Sequence, residues 1–541
     1  MVMNLTQLFQ RTGLLIRFNL KRDWVKLVLW IVIMASLLTA VAAKFDTIYS
    51  DQTAINEIIK TLKTPAMVSL FGAFTAQHPY TTAKVFATEM VVFMALFMVI
   101  MNIMIGVAAT RGDEDDGLLE LIRAHAVGRG APLLAGAVEL TLLNGLIGLL
   151  FSLGLQVAGM PGADTTGNWL IGLALAALGW AFGMLTLVVA QLANNASGAT
   201  MLSYAILGVM YVVRMSTDVS HPKLTWWIPF GWIEKISAYQ ANHWLPVIAY
   251  VLFGLVCLVL ALGLSLQRDL GAGLITVRQG RQRASRWLRG PVSLLWRQSR
   301  GVIIAWIIGN LILGVAYGSV FNTIGDLAKS NPMIKQLLGA TALASANRLI
   351  VKNFIAILAV VMVIVALIAA VQLMLKLVSD ENKGYLHQIS ATATSRWHVW
   401  ASYTGWAMLT SIVVLFAGLG GMYLMGAADM KDPISWLTYW HVFLAYVPAM
   451  LVMIAFASLL TGWLPKWRYL AWAWVAYAFF SLYLGNLIDL PKWAKHLTPL
   501  GFVNKVPLKA VVWSTNWWCL ALTVLILVVA AIGYRRRDLA Q

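Results

Sequence analysis

Residues 85–109, VFATEMVVFMALFMVIMNIMIGVAA, decide the fold class of this chain. Glu89 is the only charged side chain in the stretch. An α-helix rises about 1.5 Å per residue, so about 20 apolar residues cross the roughly 30 Å of hydrocarbon in a bilayer. The stretch therefore predicts a membrane-spanning helix.

The rest of the chain has a similar composition. Of its 541 residues, 60% are hydrophobic and 11% are charged, whereas soluble domains carry about 25% charged residues. Further apolar stretches predict an all-α integral membrane protein with about twelve transmembrane helices. The predicted spans are 25–44, 85–109, 131–158, 169–193, 199–216, 245–266, 301–320, 354–377, 398–424, 441–462, 469–487 and 513–533.

Basic residues mark one side of the membrane. They precede the first span at 11–22, follow the last span at 535–537, and occupy 267–300, where eight arginines accompany one acid, Asp269. An even number of spans places these segments on one side, and loops rich in Lys and Arg are typical of the cytoplasmic side. We therefore expect a multi-pass protein of the cell membrane with both termini in the cytoplasm. Because the net charge of +18 lies beside the spans, anionic lipid headgroups are a better partner than nucleic acid.

The chain contains an internal repeat. Residues 113–129, DEDDGLLELIRAHAVGR, match residues 380–396, DENKGYLHQISATATSR, at eight positions. Two more pairs follow in the same order: Pro229–Lys235 with Pro499–Lys505, and Arg268–Leu270 with Arg537–Leu539. The repeat predicts two fused six-helix units that run in parallel through the membrane.

The repeat also predicts the domain boundaries. We expect a first six-helix domain at 1–270, an Arg-rich cytoplasmic linker at 271–300 and a second six-helix domain at 301–541. Each half opens on apolar residues set among basic ones, at 6–22 and at 291–300. These two segments predict short amphipathic helices at the cytoplasmic interface, although any juxtamembrane segment shares this pattern.

The repeated 113–129 and 380–396 segments are the main candidates for a docking site. The chain has no G-x-x-x-x-G-K-[ST] phosphate loop, so an ATPase would have to be a separate chain that binds at these segments. The alternative is a plain cytoplasmic turn with a solvated acidic face. The candidate ATPase-coupling residues are Asp113, Glu114, Gly117, Glu120, Arg129, Asp380, Glu381, Gly384 and Arg396.

These motifs resemble those of a known family. The acid-glycine-arginine pattern of both repeated segments, together with Pro229–Trp232 and Arg268–Ala272, is similar to the membrane permeases of ATP-binding cassette exporters of the ABC-2 type. The fused twelve-helix permeases linked to polyketide and polyether antibiotic resistance, such as tetronasin exporters, are the most similar members. One departure is that Asp116 and Glu120 correspond to Lys383 and His387, so the two halves would offer unequal surfaces.

The resemblance implies a permease for hydrophobic or amphipathic compounds. ATP and Mg would bind to two copies of an ATP-binding cassette ATPase subunit, and this chain would hold no cofactor. An ion-coupled secondary transporter is the alternative, because it also fits a parallel twelve-helix repeat. A membrane-embedded enzyme lacks support, since no paired catalytic carboxylates stand out and the eight histidines have no metal-ligand spacing. No catalytic or metal site is therefore expected.

A methionine and phenylalanine stripe on the second span is a candidate substrate pathway, with aromatic and methionine residues of the fifth and eleventh spans. Methionine suits adaptable apolar surfaces, although helix packing is the more common reason for such a stripe. The candidates are Met90, Phe93, Met94, Phe97, Met98, Met101, Met201, Tyr204, Met210, Tyr211, Trp474, Tyr477, Phe480 and Tyr483.

Two charged residues at span ends predict an outer gate. Glu89 begins the second span and Arg214 ends the fifth, so both would lie near the extracellular face and form an ion pair. The alternative is that Arg214 pairs with Asp218, one turn along its own helix.

Overall fold

The structure, a computed structural model, describes residues 5–49, 51–269, 271–275, 283–319, 321, 332–430, 432–484 and 490–537. The chain divides into two compact units, Met1–Gly280 and Arg281–Gln541. Their boundary falls within the segment predicted as a linker. Residues 271–275 pack on the first unit, since the backbone N–H groups of Leu274 and Ile275 donate to the carbonyls of Gln191 and Leu192.

Long helices build both units. We number the helices that correspond to the predicted spans. In the first unit they are α1 (Thr12–Ile48), α2 (Thr82–Val107), α3 (Ala131–Ala158), α4 (Thr165–Leu192), α5 (Ala196–Ser220) and α6 (Leu245–Gln267). In the second unit they are α7 (Pro291–Gly318), α8 (Pro332–Asn382), α9 (Arg396–Asp429), α10 (Trp436–Trp463), α11 (Leu470–Phe479) and α12 (Trp513–Arg536).

Within the described residues, eleven of these helices are long and apolar enough to cross a membrane. The chain is therefore an all-α, multi-pass membrane protein. The remaining helix, α11, continues as the π-helix Phe480–Leu484. The end of this predicted span, residues 485–489, lies outside the described residues.

Shorter helices join the long ones. Between α1 and α2 lie Gln52–Leu62 and Pro65–Phe71, and between α5 and α6 lie the 3₁₀ helices Leu224–Trp227 and Pro229–Ile236. The corresponding connection in the second unit contains Lys492–Lys495 and Pro499–Phe502. The repeated polar segments form Asp113–Asp115 and Leu118–Arg123 in the first unit and Tyr385–Ser390 in the second.

The predicted interfacial segments are helical but are not separate from the spans. After the short helix Leu5–Leu8, the chain turns at Arg11 and then runs as α1 without a break to Ile48. Likewise, α7 begins at Pro291 and includes the predicted span. No proline interrupts either helix after its first turn, so the backbone hydrogen bonds continue from the basic segment into the apolar one.

Each unit has its own buried core. In the first unit, Asn102 of α2 and Asn144 of α3 exchange side-chain hydrogen bonds of 2.9 and 2.6 Å. Gly179 of α4 lies against this pair, and a Cβ there would be 2.5 Å from Asn144 Oδ1. Small residues and polar side chains of this kind hold membrane helices together where hydrophobicity cannot.

Candidate functional site

The repeated polar segment has the same backbone shape in both units. Gly117 and Gly384 both have φ of 75° and both immediately precede a short helix. This left-handed conformation is costly for residues with a Cβ. The match in conformation supports the repeat inferred from the two sequences.

In the first unit, Glu114 anchors this segment. Its carboxylate accepts hydrogen bonds from Arg268 Nη2 at 2.7 Å, Arg111 Nη1 at 3.1 Å and the Gly271 backbone N–H at 2.6 Å. Arg129, at the end of the segment, donates to the carbonyl of Arg268 at 2.9 Å. The segment between α2 and α3 is thus attached to the chain that follows α6.

The second unit repeats the arrangement. Arg537, which follows α12, pairs with Glu381, and Arg396 Nη1 donates to the carbonyl of Arg537 at 2.7 Å. Two of the three repeated motifs therefore meet in each unit. The sequence predicted both motifs but not the contact between them. The signal was that each motif recurs in the second half at nearly the same distance along the chain, so the two could keep the same contact in both halves.

The structure changes the role expected for the two glutamates. The side chains of Glu114 and Glu381 are only 5% and 1% exposed, so neither faces a partner. Asp113 pairs with Arg22 at 2.9 Å, and Asp380 accepts from Tyr403 Oη at 2.6 Å. Two other members of the predicted set, Glu120 and Arg396, are exposed. Further exposed residues of the segments include Asp115, Asp116 and Leu121 in the first unit and Lys383, Tyr385 and His387 in the second.

Arg111 belongs to the first cluster and was not anticipated. It is 1% exposed, and besides Glu114 it binds the carbonyls of Ala190 at 2.6 Å and Ala272 at 3.0 Å. Its repeat position holds Val378. The sequence did contain a signal for it, because Arg111 is a lone arginine two residues beyond the predicted span at 85–109.

The predicted ion pair between Glu89 and Arg214 is not formed. Arg214 is fully buried, pairs with Glu234 and lies 3.6 Å from Asp218, so the local alternative is present as a weaker contact. The carbonyls of Ser69 and Leu70 accept two more of its hydrogen bonds, at 2.6 and 2.9 Å.

Glu234 and Glu89 have separate surroundings. Burial raises the pKa of Glu234 to about 7, and the adjacent guanidinium of Arg214 opposes this effect. Glu89 is approached instead by the hydroxyl of Tyr49, at 3.4 Å. The sequence pattern missed the 3₁₀ helix that carries Glu234, because short irregular helices have no clear periodicity.

The predicted pathway residues differ in their exposure within each unit. Met94, Met98 and Met101 are at most 1% exposed and pack in the core of the first unit, whereas Phe93 and Met201 are exposed. Helix packing therefore accounts for three of the stripe's members. The remaining residues are half-buried (Met90, Phe97, Tyr204, Met210, Tyr211, Trp474 and Tyr477), exposed (Phe480) or outside the described side chains (Tyr483).

Each unit has a cavity between its second helix and the repeated proline-containing 3₁₀ helix. In the first unit Thr88, Val91 and Ile233 contribute to an open cavity of about 450 Å³. In the second unit Ala356 and Val503 help to line a cavity of about 1330 Å³. No predicted pathway residue with a described side chain lines either cavity.

These features define a class, a multi-pass membrane protein built from two duplicated helical units, each with an ion-paired polar segment and a cavity. Residues 288–535 match the family model described as the C-terminal domain of the multidrug efflux system permease Rv1217c. The chain is also 30% identical, over 538 residues, to the multidrug efflux system permease protein Rv1217c of Mycobacterium tuberculosis (strain ATCC 25618 / H37Rv). The alignment covers 97% of this chain and 94% of that relative. The chain belongs to the family of this permease.

Proposed function

We propose that this chain is the membrane permease of an exporter driven by ATP, which moves hydrophobic or amphipathic compounds out of the cell. Two copies of a separate ATP-binding cassette ATPase would bind ATP and Mg and supply the energy. The mycobacterial relative is a multidrug efflux system permease protein, which supports the transport part of this proposal. The proposal also places the chain among ABC-2 type permeases, close to those for polyether antibiotics.

The ion pair that recurs in both units is the observation that supports coupling between the ATPase and the transmembrane helices. Glu114 with Arg268, and Glu381 with Arg537, connect each polar segment to the end of the last helix of its unit. A displacement of the segment would thus reach three helices, the two that it joins and the one that ends at the arginine. Packed elements with discrete arrangements can transmit such shifts.

Exposed side chains of the same segments would meet the ATPase. Leu121 is 67% exposed beside Glu120 and Asp116, and an exposed apolar side chain ringed by charge suits a protein contact. The second unit has Tyr385, 53% exposed, in the helix that also carries His387. Two identical ATPase subunits would therefore meet an acidic surface in one half and a more basic surface in the other.

The cavities are the proposed route for the compound. The larger one is built from apolar residues such as Ala356, Val360 and Leu500, with Lys495 and Lys505 also in its lining. Mostly apolar walls with a few polar groups are typical of small-molecule sites. This lining suits a hydrophobic compound or an amphipathic one with an acidic group.

Transport by inside-out vesicles tests the proposal. Vesicles from cells that express the chain and an ATP-binding cassette ATPase should accumulate an amphipathic fluorescent dye when ATP is added. The accumulation should persist after an ionophore collapses the ion gradients. Accumulation that needs a gradient but not ATP would favour the ion-coupled alternative.

A surface variant tests the docking assignment in the same vesicles. Leu121→Glu should lower ATP-dependent accumulation severely without changing the thermal stability of the purified chain, because Leu121 is exposed. Ser220→Glu is a matched control, since Ser220 is exposed at the opposite end of the first unit. Equal transport by the Leu121→Glu variant and the control would contradict docking at this segment.

A further inference from the structure

The first unit has a second cavity, which lies beside its polar segment. Four arginines, Arg111, Arg123, Arg129 and Arg268, line this open cavity. The carboxylates in its lining are those of Asp113 and Glu114. The other walls include Leu15 of α1, Leu133 of α3 and Gln191 of α4, all in the first unit.

The charges in this cavity do not balance. Glu114 is shared by Arg111 and Arg268, and Asp113 is paired with Arg22. Only one nitrogen of the Arg129 guanidinium, Nη2, donates a hydrogen bond among the described residues, and its acceptor is the carbonyl of Arg268. Arg123 has no hydrogen bond or ion pair within the described part of the chain.

Two buried nitrogens lack partners at this place. The Nε atoms of Arg123 and Arg129 are both inaccessible to solvent and make no hydrogen bond among the described residues. Burial, followed by repulsion from Arg129 and Arg268, lowers the pKa of Arg123. Guanidinium groups held together in this way destabilise the protein unless an anion joins them.

We propose that this cavity binds a phosphate group, held by Arg123 and Arg129. A guanidinium has five N–H donors in a planar fork that fits phosphate oxygens in pairs. Inorganic phosphate presents four oxygens, and the phosphodiester of a lipid headgroup presents two charged oxygens and two ester oxygens. Either offers the two guanidinium groups more acceptor atoms than the two oxygens of a carboxylate. The donor set therefore favours phosphate over an acidic side chain.

The position of the cavity favours a lipid headgroup as the source of that phosphate. Leu15 and Leu133 lie near the ends of the long apolar helices α1 and α3 that continue away from the segment. Arginines near helix ends at the membrane surface attract anionic lipids. A soluble phosphate would present the same chemistry, so the experiment must distinguish the two sources.

The site is specific to the first unit. The positions that correspond to Arg111 and Arg123 are Val378 and Ser390, and Arg396, which corresponds to Arg129, is exposed. One phosphate per chain is therefore expected. It would lie directly under one of the two proposed docking segments and would make the halves unequal in ligand binding.

Thermal unfolding of the purified full-length chain in a neutral detergent tests the site. Phosphatidylglycerol, phosphatidylcholine and inorganic phosphate are added separately at matched ionic strength. We expect phosphatidylglycerol to raise the Tm by several degrees and phosphatidylcholine to raise it much less, because the choline cation beside its phosphate is repelled by the four arginines of the cavity. Stabilisation by phosphatidylglycerol alone assigns the site to a lipid, and equal stabilisation by inorganic phosphate assigns it to a soluble phosphate.

The variant Arg123→Gln gives the decisive comparison. Because it removes an unpaired, half-buried charge, it should raise the Tm in the absence of added anion and should abolish the increment from the phosphate compound. Arg300→Gln, at an exposed arginine in the first turns of α7, should behave as the unmodified chain. The proposal is overturned if no phosphate compound stabilises the chain, or if Arg123→Gln keeps the full increment.

Discussion

Glu114 and Arg268 are 154 positions apart in the sequence, and their side chains meet at 2.7 Å. Glu381 and Arg537, 156 positions apart, form the corresponding pair in the second unit. Each pair joins the first repeated motif of a unit to its last one. The two ends of each duplicated unit are thus brought together at the same place, which explains why these short motifs persist in both copies.

Loss of the carboxylate at Glu114 should destabilise the first unit. Glu114→Gln leaves the buried guanidinium groups of Arg111 and Arg268 without their anion, and breaking a buried pair in this way costs about 3–5 kcal/mol. We expect a large fall in Tm and loss of transport. Glu381→Gln is the matched variant, and its effect should be smaller because Val378 replaces Arg111 there. An unchanged Tm for Glu114→Gln would contradict the anchoring role.

The buried carboxyl of Glu234 should make stability depend on pH. Its pKa is raised from 4.5 to about 7 by burial, so the folded state holds this proton more tightly than the unfolded state does. The stabilisation is complete below the unfolded pKa and is lost as pH rises through the folded pKa. Stability should therefore fall between about pH 4.5 and pH 7 because of this group.

The variant Glu234→Gln isolates this effect from other titrations. Thermal unfolding of both chains in detergent should show that the difference in Tm, unmodified minus variant, is larger at pH 5 than at pH 8. Asp432→Asn serves as a control, because the side chain of Asp432 is 67% exposed. A difference that does not vary with pH would contradict the assignment.

Filling the cavity of the second unit should impair transport of large compounds. Ala356 is buried in its wall, so Ala356→Phe would occupy space that the compound needs and should reduce uptake by vesicles several-fold. Leu349→Phe, at an exposed position of the same helix, is the control. Equal uptake of large and small dyes by both variants would show that the route lies elsewhere.

Sequence reasoning predicted the helices well and their contacts poorly. Apolar length alone located eleven helices of spanning length, and the repeat located the segments around Gly117 and Gly384. The partners of buried charges were harder to predict from the sequence. Arg214, for example, binds Glu234 and two backbone carbonyls, all on short helices that have no periodic pattern. The methionine stripe was ambiguous for a different reason, because Met94 and Met98 would show the same spacing in a core as on a pathway.

The basic clusters predict on which side of the membrane each segment lies, and this prediction can be tested directly. Even span number and the arginines of 267–300 predict that this segment is cytoplasmic. Ser285 is half-buried and Ser514 is exposed, and Ser514 lies in the first turn of α12, which should be extracellular. Each is replaced singly by cysteine and treated in intact cells with a thiol reagent that cannot cross membranes. Cys257 and Cys519 are free cysteines, so labelling of the unmodified chain sets the background. We expect labelling at Ser514→Cys in intact cells and at Ser285→Cys only after the cells are opened; the reverse pattern would invert the orientation and place the proposed docking segments outside the cell.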